Sequence, residues 1–430
     1  MNQKLYSALI NLAQPVFLLY WLCRGIKSRA YWRHLPERFG FVPRYSADIW
    51  IHAVSVGETQ AAVPLIQALH HLHPEYRFLL TVTTPTGRHT AQQLLRGFAF
   101  QQCYLPIDAP HAVARFFRRC TPKLGIIMET EWWPNLLLQA PCPVALVNAR
   151  LSQKSAEGYA KYPRLAAQTL HSLRLIAAQD AASAQRIAAL GGRDISVTGN
   201  VKFDCQAKAD HRLSQHLPAN YLLAASTRDG EEKLLLKAYA RHRIRTSACP
   251  VLVIVPRHPE RFQEVFELSS QAGLRTAKRS DAHIPPDCEV IIGDSMGEMM
   301  AYYTNAAVVL MGGSYLPYGS HNFIEPCALG RLVVVGPSVF NFAEAARSAL
   351  QQQAITQVSD FEAALDVASA ALMTSTASNA HIQSQSTPQQ SQSIHPQAQQ
   401  WAVANQGATQ KTLALLRPYL PHSPSTPPTS

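Results

Sequence analysis

Short apolar runs alternate along this chain with longer stretches in which apolar residues recur every three or four positions. In the first half the runs cover residues 48–54, 78–83, 124–128, 144–147, 173–177 and 195–197, and helical spacing covers 60–72, 90–95, 112–119 and 181–190. A second series starts near Tyr221, with runs at 221–225, 251–255, 289–292, 307–311 and 332–335 and helical patterns at 230–241, 260–271, 297–303 and 322–329. Runs without a polar face suit strands buried on both sides, and their alternation with helices predicts parallel sheets covered on both faces. The expected fold class is therefore α/β, with two Rossmann-like domains facing a cleft. Ligands of such sheets bind beyond the carboxyl ends of the strands, which makes the cleft the expected site.

The ends of the chain break this rhythm. Residues 5–22 are mostly apolar, interrupted by Asn11, Gln14 and Pro15 and followed at once by Arg24, Lys27, Arg29, Arg33 and Arg38. Cations behind an apolar segment keep the rest of a chain in the cytoplasm, and they are expected to meet an anionic membrane surface. A cleaved signal peptide would carry its basic region in front. A spanning helix, an in-plane helix with Tyr20 and Trp21 at the interface, and a helix of a soluble core remain open. The expected order is a membrane-anchor helix over 1–25, a first domain over 26–203, a linker over 204–219 and a second domain over 220–373. A flexible Ser/Gln-rich insertion over 374–400, a helix over 401–420 and a disordered tail over 421–430 follow.

A net charge of +11 on 430 residues favours anionic partners: phosphorylated ligands, acidic membrane or nucleic acid. Basic residues are not interleaved with aromatics along one face, so nucleic acid is not expected. None of the eight cysteines forms a C-x-x-C pair, which argues against zinc and for a reducing cytoplasm. His70, His71 and His73 lack the i, i+4 spacing of a helical metal site and read as a solvated helix end.

Every informative motif follows a strand. In HAVSVGETQAA, Glu58 opens a helix; it reads either as a cap stabilised by the helix dipole or as a general base at a sheet edge. METEWWPN sets Glu129 and Glu131 two residues apart beside two indoles, which suits either a surface loop or a grip on sugar hydroxyls. Lys202 follows a glycine turn in TGNVKFD. In the second half AASTRDGEE places Ser226 and Thr227 at a helix start, an expected anion site. VPRHPER, GDSMGEMM and GGSYLPYGSHNFIEP supply three more strand-to-helix turns, and together the four point to a phosphorylated ligand. Neither a P-loop nor a strand-G-x-G-x-x-G unit occurs, and no D-x-D triplet offers a metal to a sugar diphosphate.

These runs, with TPTG, NARLS and FNF between them, resemble in order the 3-deoxy-D-manno-octulosonic acid (Kdo) transferases of Gram-negative bacteria, specific for a lipid A precursor. The resemblance implies a GT-B glycosyltransferase at the cytoplasmic face of the inner membrane, with CMP-Kdo as donor, a phosphorylated lipid A precursor as acceptor, and no cofactor or metal. By motif position it implies Glu58 as proton acceptor and Glu129 and Lys202 as stabilisers of the transition state. It implies CMP contacts from Pro256, Arg257, Met296, Gly297, Glu298, Asn322, Phe323, Ile324 and Glu325, with Ser226 and Thr227 near the phosphate. One departure is Ser320, where the family commonly has glycine. The alternatives are a GT-B enzyme using a UDP-sugar, either transferase or 2-epimerase, and a non-catalytic binder of anionic surfaces. Arg29, Arg33 and Arg38 are expected to face the membrane, each contributing about 1 kcal/mol near an anionic leaflet.

Overall fold

The computed structural model describes residues 1–205, 207–246, 249–379 and 395–421. The chain forms two compact units, residues 1–205 with 405–430 and residues 206–404. In the first, β1 (Ile49–His52), β2 (Phe78–Val82), β3 (Phe100–Tyr104), β4 (Leu124–Met128), β5 (Val144–Ala149), β6 (Leu175–Ala178) and β7 (Ile195–Val197) form one sheet. Its order is β3-β2-β1-β4-β5-β6-β7 and every pairing is parallel. One face packs Leu65, Ile66 and Leu69 of the helix Val56–Leu72 onto Ile49, Ile51 and Ile126. The other packs Phe116 and Phe117 onto Trp50, whose indole N–H is satisfied by the Thr81 hydroxyl at 2.8 Å. Strand order reverses between β1 and β4, so the loops after these two strands open side by side at a topological switch point.

The second unit repeats the plan. Strands β8 (Tyr221–Thr227), β9 (Leu252–Pro256), β10 (Thr276–Lys278), β11 (Val290–Ile292), β12 (Ala306–Met311), β13 (Leu332–Val335) and β14 (Thr356–Gln357) form a parallel sheet of order β10-β11-β9-β8-β12-β13-β14. Here the switch lies between β8 and β12. Register aligns Thr227 with Pro256 and Ala225 with Met311, so the loops beginning at Arg228, Arg257 and Gly312 leave neighbouring strands at one edge.

The single helix expected over 401–420 is two helices. Pro396–Ala404 belongs to the second unit and Ala408–Leu416 to the first. Gly407, at φ +101°, makes the break in a backbone region that L side chains disfavour. Asp204 then caps the returning helix, its carboxylate accepting the N–H groups of Gly407 at 2.6 Å and Thr409 at 2.5 Å. Leu413 and Leu416 join Val201 in the first core. Loss of such a cap costs about 1–2 kcal/mol, so Asp204→Ala is expected to lower Tm by roughly 2–8 °C, read by calorimetry. The Ser/Gln-rich tract is helical at both described ends, within Phe361–Asn379 and from Pro396. Its centre, residues 380–394, and the tail 422–430 lie outside the described residues.

The N-terminal apolar segment is one helix, Gln3–Lys27, long and apolar enough to cross a membrane. Arg38 is not available to a membrane. It is buried, donates to the Thr83 carbonyl at 2.9 Å, and stacks its guanidinium over Tyr104 at 4.0 Å and Trp21 at 4.7 Å. A planar cation with aromatic partners is a structural bolt, and the expected membrane role falls to Arg29 and Arg33, which are exposed.

Candidate active site

In the first unit the chain turns sharply after β1. Ser55 caps the helix Val56–Leu72, and Glu58 reaches back so that its Oε2 accepts the Val54 N–H at 2.7 Å. The Val54 carbonyl is held from the other side by the hydroxyls of Thr83 (3.2 Å) and Thr84 (3.3 Å), so the TPTG turn braces the turn that carries Glu58. Glu58 is thus a cap in geometry, but not in its electrostatics. Burial, then the Glu129 and Glu131 charges, raise its pKa to about 8 against the opposing pull of the Val54 N–H and Lys202. A capping carboxylate at an open helix start shifts the other way.

Glu129 leaves the end of β4 at φ +59°, a left-handed conformation that costs a non-glycine residue about 1–3 kcal/mol. It receives Lys202 Nζ at 2.7 Å across 73 residues of sequence. Lys202 is aimed by two asparagines: Asn148 Oδ1 accepts the Val201 N–H at 3.1 Å and Asn200 Oδ1 accepts the Lys202 N–H at 3.0 Å. Glu131 accepts the Trp133 indole N–H at 2.8 Å, and burial raises its pKa. His52 Nε2 stands 3.9 Å from Glu131, but complete burial lowers the imidazole pKa to about 4, so it is neutral and no ion pair forms. Three carboxylates and one ammonium therefore share the end of this sheet. Glu58, Glu129 and Lys202, the three residues singled out from sequence, are brought together.

A cavity of about 480 Å³ opens beside Glu131, walled by Trp132, Trp133, Tyr159 and Tyr162 and, from the N-terminal helix, Tyr6. Aromatic walls next to carboxylates offer apolar faces and hydrogen-bond acceptors to one ligand.

In the second unit the chain itself engages part of the turn that opens the helix Glu231–Arg245. Glu231 is fully buried and its carboxylate accepts the N–H groups of Arg228 (2.9 Å), Gly313 (2.7 Å) and Tyr315 (3.0 Å). Thr227 donates its hydroxyl to Glu232 at 2.7 Å, and Glu232 also holds Arg261 at 2.6 Å. The positive charge left over lies elsewhere. Among the described residues no ion pair reaches Arg228 or Arg257. Burial first, and then Arg228, lower the Arg257 pKa, while burial, Arg257, Arg228 and His258 bring His321 to about 3. Arg228 Nη1 lies 3.1 Å from His258 Nε2 and its guanidinium stacks on Tyr318 at 4.6 Å. Arg257 and Arg228, neither ion-paired among the described residues, leave positive charge that an anion could neutralise.

Around these arginines Tyr303, wholly buried, feels both Glu325 and Arg257, which ties those two residues to one region. Asn322 Oδ1 accepts the Ile324 N–H at 3.1 Å and opens the short helix Ile324–Ala328. Phe323 and Ile324 are buried, with Phe323 stacked on Trp401 and tilted against Phe342, so their side chains serve the core. Glu298 pairs with Arg279 at 2.6 Å, beside the glycine turn at Gly297 and the exposed Met296. Ser226 sits at φ +57° with its carbonyl pressed on Gly312, where a Cβ would come within 2.4 Å of it. Ser320 holds φ +70°, a backbone region that favours glycine. The VPRHPER turn already placed His258 beside Arg257 at a strand end, whereas Arg228 and His321 were not singled out from sequence; the R of STRD was the available signal, indistinguishable from a solvated side chain until the loops converge.

Comparison with known proteins bears on both units. Residues 33–205 match the family described as 3-deoxy-D-manno-octulosonic-acid transferase (kdotransferase). The chain is 35% identical to a 3-deoxy-D-manno-octulosonic acid transferase of Bordetella pertussis, over 98% of its own length and all of the relative's. It is 36% identical to one from Haemophilus influenzae, over 96% and 98%. The crystal structure of a glycosyltransferase from Rickettsia africae superposes with a TM-score of 0.57 over 88% of this chain and 100% of that one, at 13% identity, a likeness of fold.

Proposed function

Since this chain belongs to the family of 3-deoxy-D-manno-octulosonic acid (Kdo) transferases, GT-B glycosyltransferases of lipopolysaccharide biosynthesis, we propose that it moves Kdo from CMP-Kdo to a phosphorylated lipid A precursor by one inverting displacement. The acceptor hydroxyl oxygen forms the new bond to the anomeric carbon. The bond from that carbon to the phosphate oxygen breaks, and CMP leaves with the electron pair. Glu58 takes the hydroxyl proton. What supports this role is its pKa of about 8, since a base titrating near the working pH combines the right protonation state with proton-transfer driving force.

Lys202, held on Glu129, carries positive charge to the sugar carboxylate or the phosphate, and Glu129 keeps it aimed. In the second unit Arg257, with Arg228 beside it, meets the charge that develops on the departing monophosphate. Fixed cations need no reorganisation at the moment of transfer, so they favour the transition state. Glu325 suits the ribose hydroxyls, since a carboxylate accepts two hydrogen bonds. The aromatic cavity beside Glu131 is suited to part of the acceptor. The work belongs at the cytoplasmic face of the inner membrane.

Purified protein incubated with CMP-Kdo and tetraacyl lipid A precursor should yield, by mass spectrometry, precursor heavier by whole Kdo residues. Recovery of unmodified precursor with intact or merely hydrolysed CMP-Kdo would reject the reading. The carboxylate cluster adds a signed prediction. Glu129 raises the Glu58 pKa and Lys202 lowers it. Glu129→Gln should therefore move the rising limb of the pH–rate profile down, and Lys202→Met should move it up. The limb's position is the readout, because both changes also lower its height.

A further inference from the structure

The N-terminal helix is docked along one face and bare along the other. Its inner stripe runs through Gln3, Ser7, Ile10, Gln14, Phe17 and Trp21, and each of these meets the first unit. Ser7 Oγ donates to Asn135 at 2.8 Å, with Gln3 on the same oxygen at 3.5 Å, and Gln14 lies 3.2 Å from His111. Between them Tyr6 donates to Asp108 Oδ2 at 2.9 Å. Asp108 itself accepts the N–H groups of Asn135 and Leu136, so the helix is stapled to the cap of the segment following Trp133. Trp21 is buried with Ile107, Ala109 and Ala112, and Ile10 and Phe17 pack on that cluster. Contacts from residue 3 to residue 21 span about 27 Å at 1.5 Å per residue. Beyond them, Gly25 admits the Trp32 ring so closely that a Cβ would overlap it at 1.7 Å.

The outer stripe has the same period. Leu5, Leu9, Leu12, Val16, Leu19 and Ile26 are all exposed, Leu12 to 77% and Ile26 to 76%. Exposed cations border it: Lys4 near its start and Arg24, Arg29 and Arg33 at its end, with exposed Trp32 among them. To span a bilayer, the helix would have to abandon the whole inner stripe or draw Asp108 and its neighbours into hydrocarbon. Lying in the plane, it keeps every contact and buries the outer stripe.

We propose that this helix lies flat on an anionic leaflet, its outer stripe at the boundary of headgroups and acyl chains and both of its ends on one side of the membrane. Anchor and catalytic loop are then one rigid piece, because Tyr6 and Ser7 hold the segment that follows Glu129 and Glu131.

The test is topological. In a Gram-negative host, full-length Lys4→Cys protein is treated with a membrane-impermeant maleimide in intact spheroplasts and in inside-out vesicles, with the parent protein, which carries Cys23, as background. Labelling at position 4 in the inside-out vesicles alone supports the flat helix. Labelling in spheroplasts, or only after detergent, overturns it. A second arm measures co-sedimentation with vesicles of phosphatidylcholine and phosphatidylglycerol at 7:3. The triple change Leu9→Glu, Leu12→Glu, Val16→Glu should weaken binding at least about tenfold while leaving CMP binding unchanged. Undiminished vesicle binding overturns the proposal.

Discussion

Glu58→Gln is expected to lower the rate of Kdo transfer by about 10²–10⁴-fold, the usual contribution of a positioned general base, without weakening CMP binding. Glutamine keeps the shape and can still accept the Val54 N–H, so the turn after β1 survives and only the proton acceptor is lost. The pH profile separates this from a general loss of structure. With a Glu58 pKa of about 8, the native rate climbs tenfold per unit below that value and levels above it; in the glutamine variant this limb disappears. Stability should change in the opposite sense. The folded carboxyl holds a proton between its ordinary value of 4.5 and about 8, where the unfolded chain has lost it. Stability therefore falls as pH rises across that window. Glutamine has no proton to lose, so the variant should gain on the parent by roughly 2–4 °C in Tm between pH 5 and pH 8.5. A variant equally slow at every pH and equally stable would leave Glu58 a cap alone.

What could be read from the sequence tracks what is local. The central strands β1, β4, β8, β9 and β12 are mostly apolar because both their faces are covered, and each showed as an apolar run. The three strands without such a signal, Phe100–Tyr104, Thr276–Lys278 and Thr356–Gln357, are all sheet edges. An edge strand is half in water, so FQQCY and TAK carry polar residues where a run would be sought. The return of the C-terminal helix to the first unit rests on Asp204 meeting Gly407, 203 positions away, and no periodicity announces that pairing.

The site divides in the same way. The family resemblance, by motif position, selected Glu58, Glu129, Lys202 and Arg257, and the fold brings the first three together. The meaning of each neighbour depended on direction. Glu231 and Glu232 stand in the first turn of a helix, yet Glu231 turns inward to accept the N–H groups of Gly313 and Tyr315 in the loop after β12. Arg38 looked like one more membrane cation, yet aromatic rings enclose it. A charged residue's role follows from whether its partner is already present, and partners distant in sequence are what one chain read in order does not display.

On the proposed reading Arg257 grips the donor phosphate, and Arg257→Ala should show it. With the Thr227 hydroxyl given to Glu232, the donor phosphate is expected to draw its charge from Arg257 and Arg228. A hydrogen bond to a charged group contributes about 1.5–3 kcal/mol, so alanine at 257 should weaken CMP binding roughly 10- to 150-fold by calorimetry. Cytidine, which lacks the phosphate, should lose almost nothing. Arg275→Ala, removing a cation already paired with Glu289 and Asp287, should leave both ligands unaffected. His321 gives the same contact a second readout. Its pKa of about 3 reflects burial and the surrounding cations, so an anion bound among them should raise it, and CMP binding should take up protons as the pH approaches that range. Equal losses for CMP and cytidine would mean that Arg257 supports the base or ribose instead, and the positive charge would have to be neutralised by another part of the donor.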